Sequence, residues 1–193
     1  MPSHKMLLHP ADPEYRTDPA RLAAGMQQIG LLAAAQPLGN SHIYPCGEHF
    51  LDLVTFLGCS PAIELDPPDE PARLTEASMA GRFCHAFITG NSPPRLRADA
   101  RTPPPRCPAC SSPLDDWAVT LAARRPLDHT WQCGNCRESF DIFSLSFRKT
   151  AGIASIWLEI RGIHPFEAVP GPTLLDFLQD LSGGPWRTCY LLE

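Results

Sequence analysis

No stretch of this chain approaches the ~18 consecutive apolar residues that a membrane-spanning helix needs. Its opening, "MPSHKMLLHPADPEYR", has no apolar core of the kind a secretory signal carries. Both absences argue against a membrane partner and lead to the expectation of a cytoplasmic protein, where stable disulfides are rare. Lysine is nearly missing as well: only Lys5 and Lys149 among 16 basic residues. The chain has no Gly-x-Gly-x-x-Gly, no phosphate-binding P-loop, no His-Glu-x-x-His and no Gly-x-Ser-x-Gly. The common nucleotide, metalloprotease and serine-hydrolase chemistries therefore have no local signature here, which tilts the expectation away from an enzyme.

What the chain does have is apolar residues at 44% against 19% charged, a balance suited to a buried core. Its 193 residues suffice for one ordinary domain plus a small module. The 22 prolines predict long connections between ordered elements. Charge is uneven. Residues 95–149 carry nine basic and six acidic side chains, +3, so the remainder must carry −8 to reach the net −5. An acidic body with a weakly basic insert is not the footprint of a protein that wraps nucleic acid.

Periodicity places the elements. Asp18 and Pro19 resemble a helix cap and first turn, and Leu22, Met26, Ile29 and Leu32 extend a helix over 19–34. "QPLGNSHIYPCG" is expected to be a loop. Phe50, Leu53, Val54 and Leu57 predict a second helix that ends at Gly58. Residues 62–65 and 82–88 are strand candidates, the latter with Phe83, His85 and Phe87 on one face and Cys84, Ala86 and Ile88 on the other. "TGNSPP" is expected to end that strand. Residues 152–163 predict a strand with Ile156, Leu158 and Ile160 together. Residues 173–181 predict a helix capped by Thr173, and 186–192 a closing strand.

Eight cysteines in a chain expected to be reduced read as thiols or metal ligands. Four of them form two pairs, Cys107-Pro108-Ala109-Cys110 and Cys133-Gly134-Asn135-Cys136, with 22 residues between the pairs. Two thiolates spaced by two residues face one ion from a single tight turn, and two such turns supply four sulfurs to a tetrahedral ion. "DWAVTLAARR", with Trp117, Val119 and Leu121 alternating, and "SFDIFSLSFR", with Phe143, Leu145 and Phe147, are expected to be strands of the module. The segment resembles a zinc ribbon: "CPAC" as the first knuckle and "WQCGNCRESF" as the second, with Trp131 and Phe140 flanking it. The resemblance implies a three-stranded antiparallel sheet carrying a structural zinc. The glycine common after each knuckle is replaced by Ser111 and Arg137. Iron takes the same four sulfurs, and spacing does not separate the two metals. A four-thiolate site is closed to water and substrate, so its default role is structural.

Four further readings remain open. Cys46, Glu48 and His49 stand at the predicted start of a helix, where a thiolate is favoured. Cys46-x-Glu48 is similar to part of the zinc-deaminase site, but Arg106 and Gln132, not proline, precede the later pairs. A second metal site could draw on Cys46, His49, Cys84 and His85, with His42 in reserve, although neighbours on a strand face opposite ways. Arg95, Arg97, Arg101 and Arg106, with Arg124 and Arg125, offer an arginine-rich approach to nucleic acid, interrupted by Asp115, Asp116 and Asp128. Arg161, His164 and Glu167 lie on a loop over 161–171 that could carry acid–base work. Cys59 and Cys189 read as core residues.

The expected architecture is of the α+β, or mixed α/β, class: a small mixed sheet with flanking helices and an inserted three-stranded ribbon. Residues 1–94 and 149–193 form the body and 95–148 the insert. The leading functional expectation is a zinc-binding, non-enzymatic accessory protein with Cys107, Cys110, Cys133 and Cys136 as ligands. Its ribbon, or the 161–171 loop, would engage a protein partner.

Overall fold

The structure is a computed structural model that describes residues 4–38, 41–58, 63–66, 83–118, 130–163 and 166–192. The elements, in chain order, are β1 (His4–Pro10), α1 (Pro19–Gln28), β2 (Gln36–Leu38), β3 (Ser41–Pro45), α2 (Phe50–Leu53), β4 (Val54–Phe56) and β5 (His85–Ala98). There follow β6 (Thr130–Gln132), β7 (Ser139–Asp141), β8 (Ala151–Arg161), β9 (Ala168–Pro170), α3 (Pro172–Ser182) and β10 (Trp186–Leu192). The class is α+β, with 19% of the described residues in helix and 41% in strand.

One sheet of six strands in the order β10-β1-β8-β5-β3-β2 organises the molecule. Each neighbouring pair is antiparallel, so β8 and β10 run parallel to each other with β1 between them. Ten of the eleven residues of β8 are buried, as befits a central strand. Ile156, Leu158 and Ile160 do share a face, and they pack with Met6, Leu8 and the helix residues Leu22, Met26, Leu174 and Leu178. Helices α1 and α3 therefore cover one side of the sheet. They come close at Gly25, where an added Cβ would sit 3.3 Å from the Phe177 ring.

The β5 alternation also holds. Cys84 and Ala86 join the helix-side core, whereas Phe83 and Phe87 pack with Leu38 and Ile43 on the opposite side. That second side also carries a buried ion cluster. Glu159, 2% exposed, is approached by Lys5 Nζ at 3.3 Å and by the guanidinium groups of Arg97 and Arg161. Burial pushes the Glu159 pKa up, but Arg97, then Arg161 and Lys5, outweigh it and hold the carboxyl below its ordinary range. Arg161 also stacks on Phe87, 4.1 Å from the ring centroid.

Several expectations are corrected. Helix α1 stops at Gln28 rather than residue 34. Gly30 adopts φ +72°, the Leu31 N–H donates to Met26 O, and the Gly30 N–H donates to Gln27 O, a Schellman ending. The predicted helix over 48–57 is a single turn followed by β4. Val54 and Thr55 are β-branched and find an antiparallel partner in β9, inside what was expected to be a loop. "QPLGNSHIYPCG" is not a loop: it contains β2 and β3, which pair antiparallel with Leu38 opposite Ser41. Residues 63–65 form no strand, although Glu64 O accepts from the Cys84 N–H; Ala62 lies outside the described residues.

Strand β5 runs through "TGNSPP" with a shift of register between Gly90 and Arg95, a bulge that tolerates the prolines. The α3 cap is Gly171, followed by Pro172, and Thr173 makes no cap. Strand β1 was not anticipated. Its Met6-Leu7-Leu8 run is buried on both faces and so shows no alternation.

Candidate metal centre

The two Cys-x-x-Cys turns fold by the same local bonds. The Ser111 N–H donates to Cys107 O and the Arg137 N–H to Cys133 O, each at 2.9 Å. The Cys107 N–H donates to Ser112 O and the Cys133 N–H to Glu138 O, again at 2.9 Å. This closure turns both cysteines of each pair inward. It also requires a left-handed residue directly after the second cysteine, and Ser111 (φ +60°) and Arg137 (φ +62°) both adopt it. The two turns thus keep the glycine conformation without the glycine.

A left-handed non-glycine residue costs about 1–2 kcal/mol. Ser111→Gly and Arg137→Gly are therefore each expected to stabilise the metal-loaded module by about 1 kcal/mol. Thermal unfolding of the two single variants and the double checks this; a lower melting temperature would show that the side chains matter more than the backbone strain.

The turns bring Cys107, Cys110, Cys133 and Cys136 together, with all four sulfurs within 4.8 Å of one another. Cys107 Sγ lies 3.8 Å from Cys136 Sγ, and Cys110 Sγ lies 3.8 Å from Cys133 Sγ. Four sulfurs at about 2.3 Å from a common tetrahedral centre are about 3.8 Å apart, so the crossed pairs already match a metal–thiolate cage. These four cysteines can hold a metal ion. Among the described residues no other group of His, Cys, Asp or Glu is arranged to do so.

Neighbouring groups tune the sulfurs. Ser112 Oγ lies 3.3 Å from Cys110 Sγ, and Asn135 Nδ2 donates to both that sulfur, at 3.6 Å, and Ser112 Oγ, at 2.9 Å. Hydrogen bonds from Ser112, side chain before backbone, and then from Asn135 lower the Cys110 thiol to about 5. Backbone hydrogen bonds from Cys136 and Asn135 lower Cys133 in the same way. The Cys136 thiol feels a downward pull from the Glu138 backbone, yet burial and the neighbouring sulfurs raise it to about 12.

The cage sits on its own apolar cluster, which includes Leu114, Trp117, Trp131, Ile142 and Leu145, and this cluster continues into Ala151 and Ile153 of β8. The sheet of the module is smaller than expected among the described residues: β6 pairs with β7, and Arg106 bridges Pro113. The predicted strand through Phe143, Leu145 and Phe147 is instead a 3-10 turn over Ile142–Ser144 and an irregular segment, because Asp141 caps the turn through the Phe143 N–H. Trp117 begins a helical turn, and residues 119–129, including Val119, Leu121, Arg124, Arg125 and Asp128, lie outside the described residues.

The other sequence candidates are dispersed. Cys46 and Cys84 do meet, the Cys46 thiol donating to Cys84 O at 3.3 Å. That contact with Cys84, together with burial, pushes the Cys46 thiol strongly up, so it is not an activated thiolate. Glu48 and His49 are exposed, and His49 lies near Asp52 and Glu48 rather than Cys46. His85 is on the opposite face of β5 between Phe83 and Phe87, with Nδ1 against Phe83 O, and His42 is exposed.

Of the arginines leading into the module, Arg97 turns to Glu159, and Arg106 donates to Ser111 O at 2.8 Å, bracing the first turn. Arg161 belongs to the Glu159 cluster, Glu167 O accepts from the Leu57 N–H, and His164 lies outside the described residues. Cys189 is buried in the core, its thiol raised to about 12 by burial, and Cys59 is outside the described residues.

Ser112 and Asn135, which hydrogen-bond the sulfurs, were not anticipated; an amide or hydroxyl inside or just after a Cys-x-x-Cys turn is the local signal that would have found them. No helix of the described residues is long and apolar enough to cross a membrane. No protein-family model, curated protein or solved structure matches the chain.

Proposed function

We propose that residues 95–148 form a zinc ribbon inserted in the α+β body, and that the ion is a structural Zn²⁺ held by Cys107, Cys110, Cys133 and Cys136. The observation that carries this reading is the pair of 3.8 Å sulfur contacts between the two turns, the edge length of a tetrahedral zinc–thiolate cage. Four thiolates complete the coordination of zinc, so the ion organises the chain and does no chemistry on a substrate.

On this reading the protein is a cytoplasmic, non-enzymatic accessory factor that engages a protein partner. Support for a partner comes from three large apolar side chains that are exposed among the described residues, Leu51, Leu57 and Phe166. Leu57 and Phe166 lie at one end of the β4–β9 pair, where the Leu57 N–H bonds to Glu167 O, and Phe166 belongs to the 161–171 loop. The hydrogen bond and raised pKa of Cys46 and the dispersal of Glu48 and His49 speak against the enzymatic alternative. The engagement of Arg97 and Arg106 within the fold speaks against the nucleic-acid one.

Native mass spectrometry with elemental analysis tests the reading. One zinc per chain, lost in Cys107→Ser, is the expected result. Iron in its place would turn the module into an electron-transfer centre, and a metal that survives Cys107→Ser would sink the assignment of these ligands.

A further inference from the structure

Between the cluster under the metal centre and the helix-side core lies a cavity of about 660 Å³. This is within the 300–1,000 Å³ range, roughly, of small-molecule sites. Five segments build it: the chain leaving the second Cys-x-x-Cys turn (142–149), the end of β1 with the loop after it, the start of β8, the end of β9, and the α3–β10 region.

Its chemistry is one-sided. Arg148, Lys149 and Arg187 stand on its wall, and no Asp or Glu is among its described lining residues, although the chain carries 21 acids against 16 bases. An acidic protein has here gathered positive charge around a concave surface, where low-dielectric walls focus the field. Arg148 and Lys149 both hold left-handed backbone, φ +49° and +66°, and the segment is tied to β10 by the Tyr190 N–H donating to Lys149 O at 2.8 Å. Strain of this kind concentrates at binding sites.

Phe143, Phe147 and Trp186 add aromatic surface to the wall, and Ser144, Ser146 and Thr188 add hydroxyl groups. A further polar group lies at its buried side. His9, 5% exposed, donates from Nδ1 to Pro10 O at 2.8 Å, a tautomer that leaves Nε2 as an acceptor. Burial lowers its pKa to about 4; the Pro10 hydrogen bond opposes this and the charge of Arg187 adds to it. Gly152 keeps the ring edge open: a Cβ there would come 2.5 Å from His9 Nε2.

We propose that this cavity binds a small amphipathic organic anion, its aromatic or apolar body against Phe143, Phe147 and Trp186 and its acidic group toward Arg148, Lys149 and Arg187. A donor on the body of the ligand meets His9 Nε2. The inference stands on the cavity and does not depend on which metal the cysteines hold.

Two fluorescent probes of one shape test it on the full chain as purified: 8-anilinonaphthalene-1-sulfonate and its uncharged counterpart N-phenyl-1-naphthylamine. The sulfonate is expected to saturate one site per chain, with calorimetry fixing the stoichiometry, and the neutral probe to bind at least about tenfold more weakly, as loss of a charge-assisted contact requires. Arg148→Gln/Arg187→Gln changes two exposed side chains and should weaken the sulfonate by a similar factor while leaving the neutral probe unchanged. Ser146→Trp, which puts a bulky ring on the cavity lining, should weaken both, with circular dichroism confirming the fold. Absence of saturable sulfonate binding, equal affinity for the two probes, or indifference to these variants would each overturn the proposal.

Discussion

Cys107→Ser is expected to release the metal and unfold the module while leaving most of the six-stranded sheet standing. Zinc bound by four thiolates contributes on the order of 10 kcal/mol to a small module. The apolar cluster beneath the cage is too small to replace that contribution. Cys107 is 2% exposed, so the substitution removes a ligand and leaves a buried hydroxyl among three crowded sulfurs.

The loss should be local. Trp117 and Trp131 belong to the cluster under the cage, whereas Trp157 and Trp186 belong to the body. Tryptophan emission should therefore shift partly to the red, limited proteolysis should cut within 100–148, and far-UV dichroism should keep its strand signal. A chelator should reproduce the same pattern in the unmutated protein. If Cys107→Ser, stripped of metal, resists protease as well as the parent, the module does not depend on its ion.

Glu159→Gln is the second large effect. Glutamine keeps the shape of the side chain but removes the negative charge that Lys5, Arg97 and Arg161 share. Breaking a buried ion cluster on one side costs about 3–5 kcal/mol, because all three cations lose the carboxylate they converge on. Urea denaturation should show a fall of that order at neutral pH.

The pH dependence distinguishes charge from packing. The folded pKa of Glu159 is held below its ordinary value of 4.5, so its contribution is complete above that value and is lost as pH falls through the lower folded value. The gap in stability between parent and variant should be constant above about pH 5 and close in stronger acid. A gap that ignores acid would assign the loss to packing instead.

These two sites were legible in the sequence to very different degrees. The metal centre was read almost whole, because a Cys-x-x-Cys turn is closed by bonds within six residues and two copies need only meet once. Ser111 and Arg137 looked like departures from the ribbon pattern. Their backbone shows that the turn imposes the left-handed conformation and the side chain tolerates it. Strand β10 and the faces of β5 and β8 were also legible, since a period of two survives wherever the two faces of a strand meet different surroundings.

Other features depended on partners far away in the chain. Phe50, Leu53, Val54 and Leu57 fit a helical stripe, yet Val54–Phe56 is a strand because β9, more than a hundred residues later, lies alongside it. Strand β1 hid in a continuous apolar run, since being buried on both faces erases periodicity. Glu159, Lys5, Arg97 and Arg161 come from three strands of the sheet, and five segments line the cavity beside the module.

Local geometry was written in residue order: the four clustered sulfurs, the turns that aim them and the alternating strands. The ion cluster and the cavity were decided only by tertiary structure, because packing and charge act through space and carry no signature of spacing along the chain.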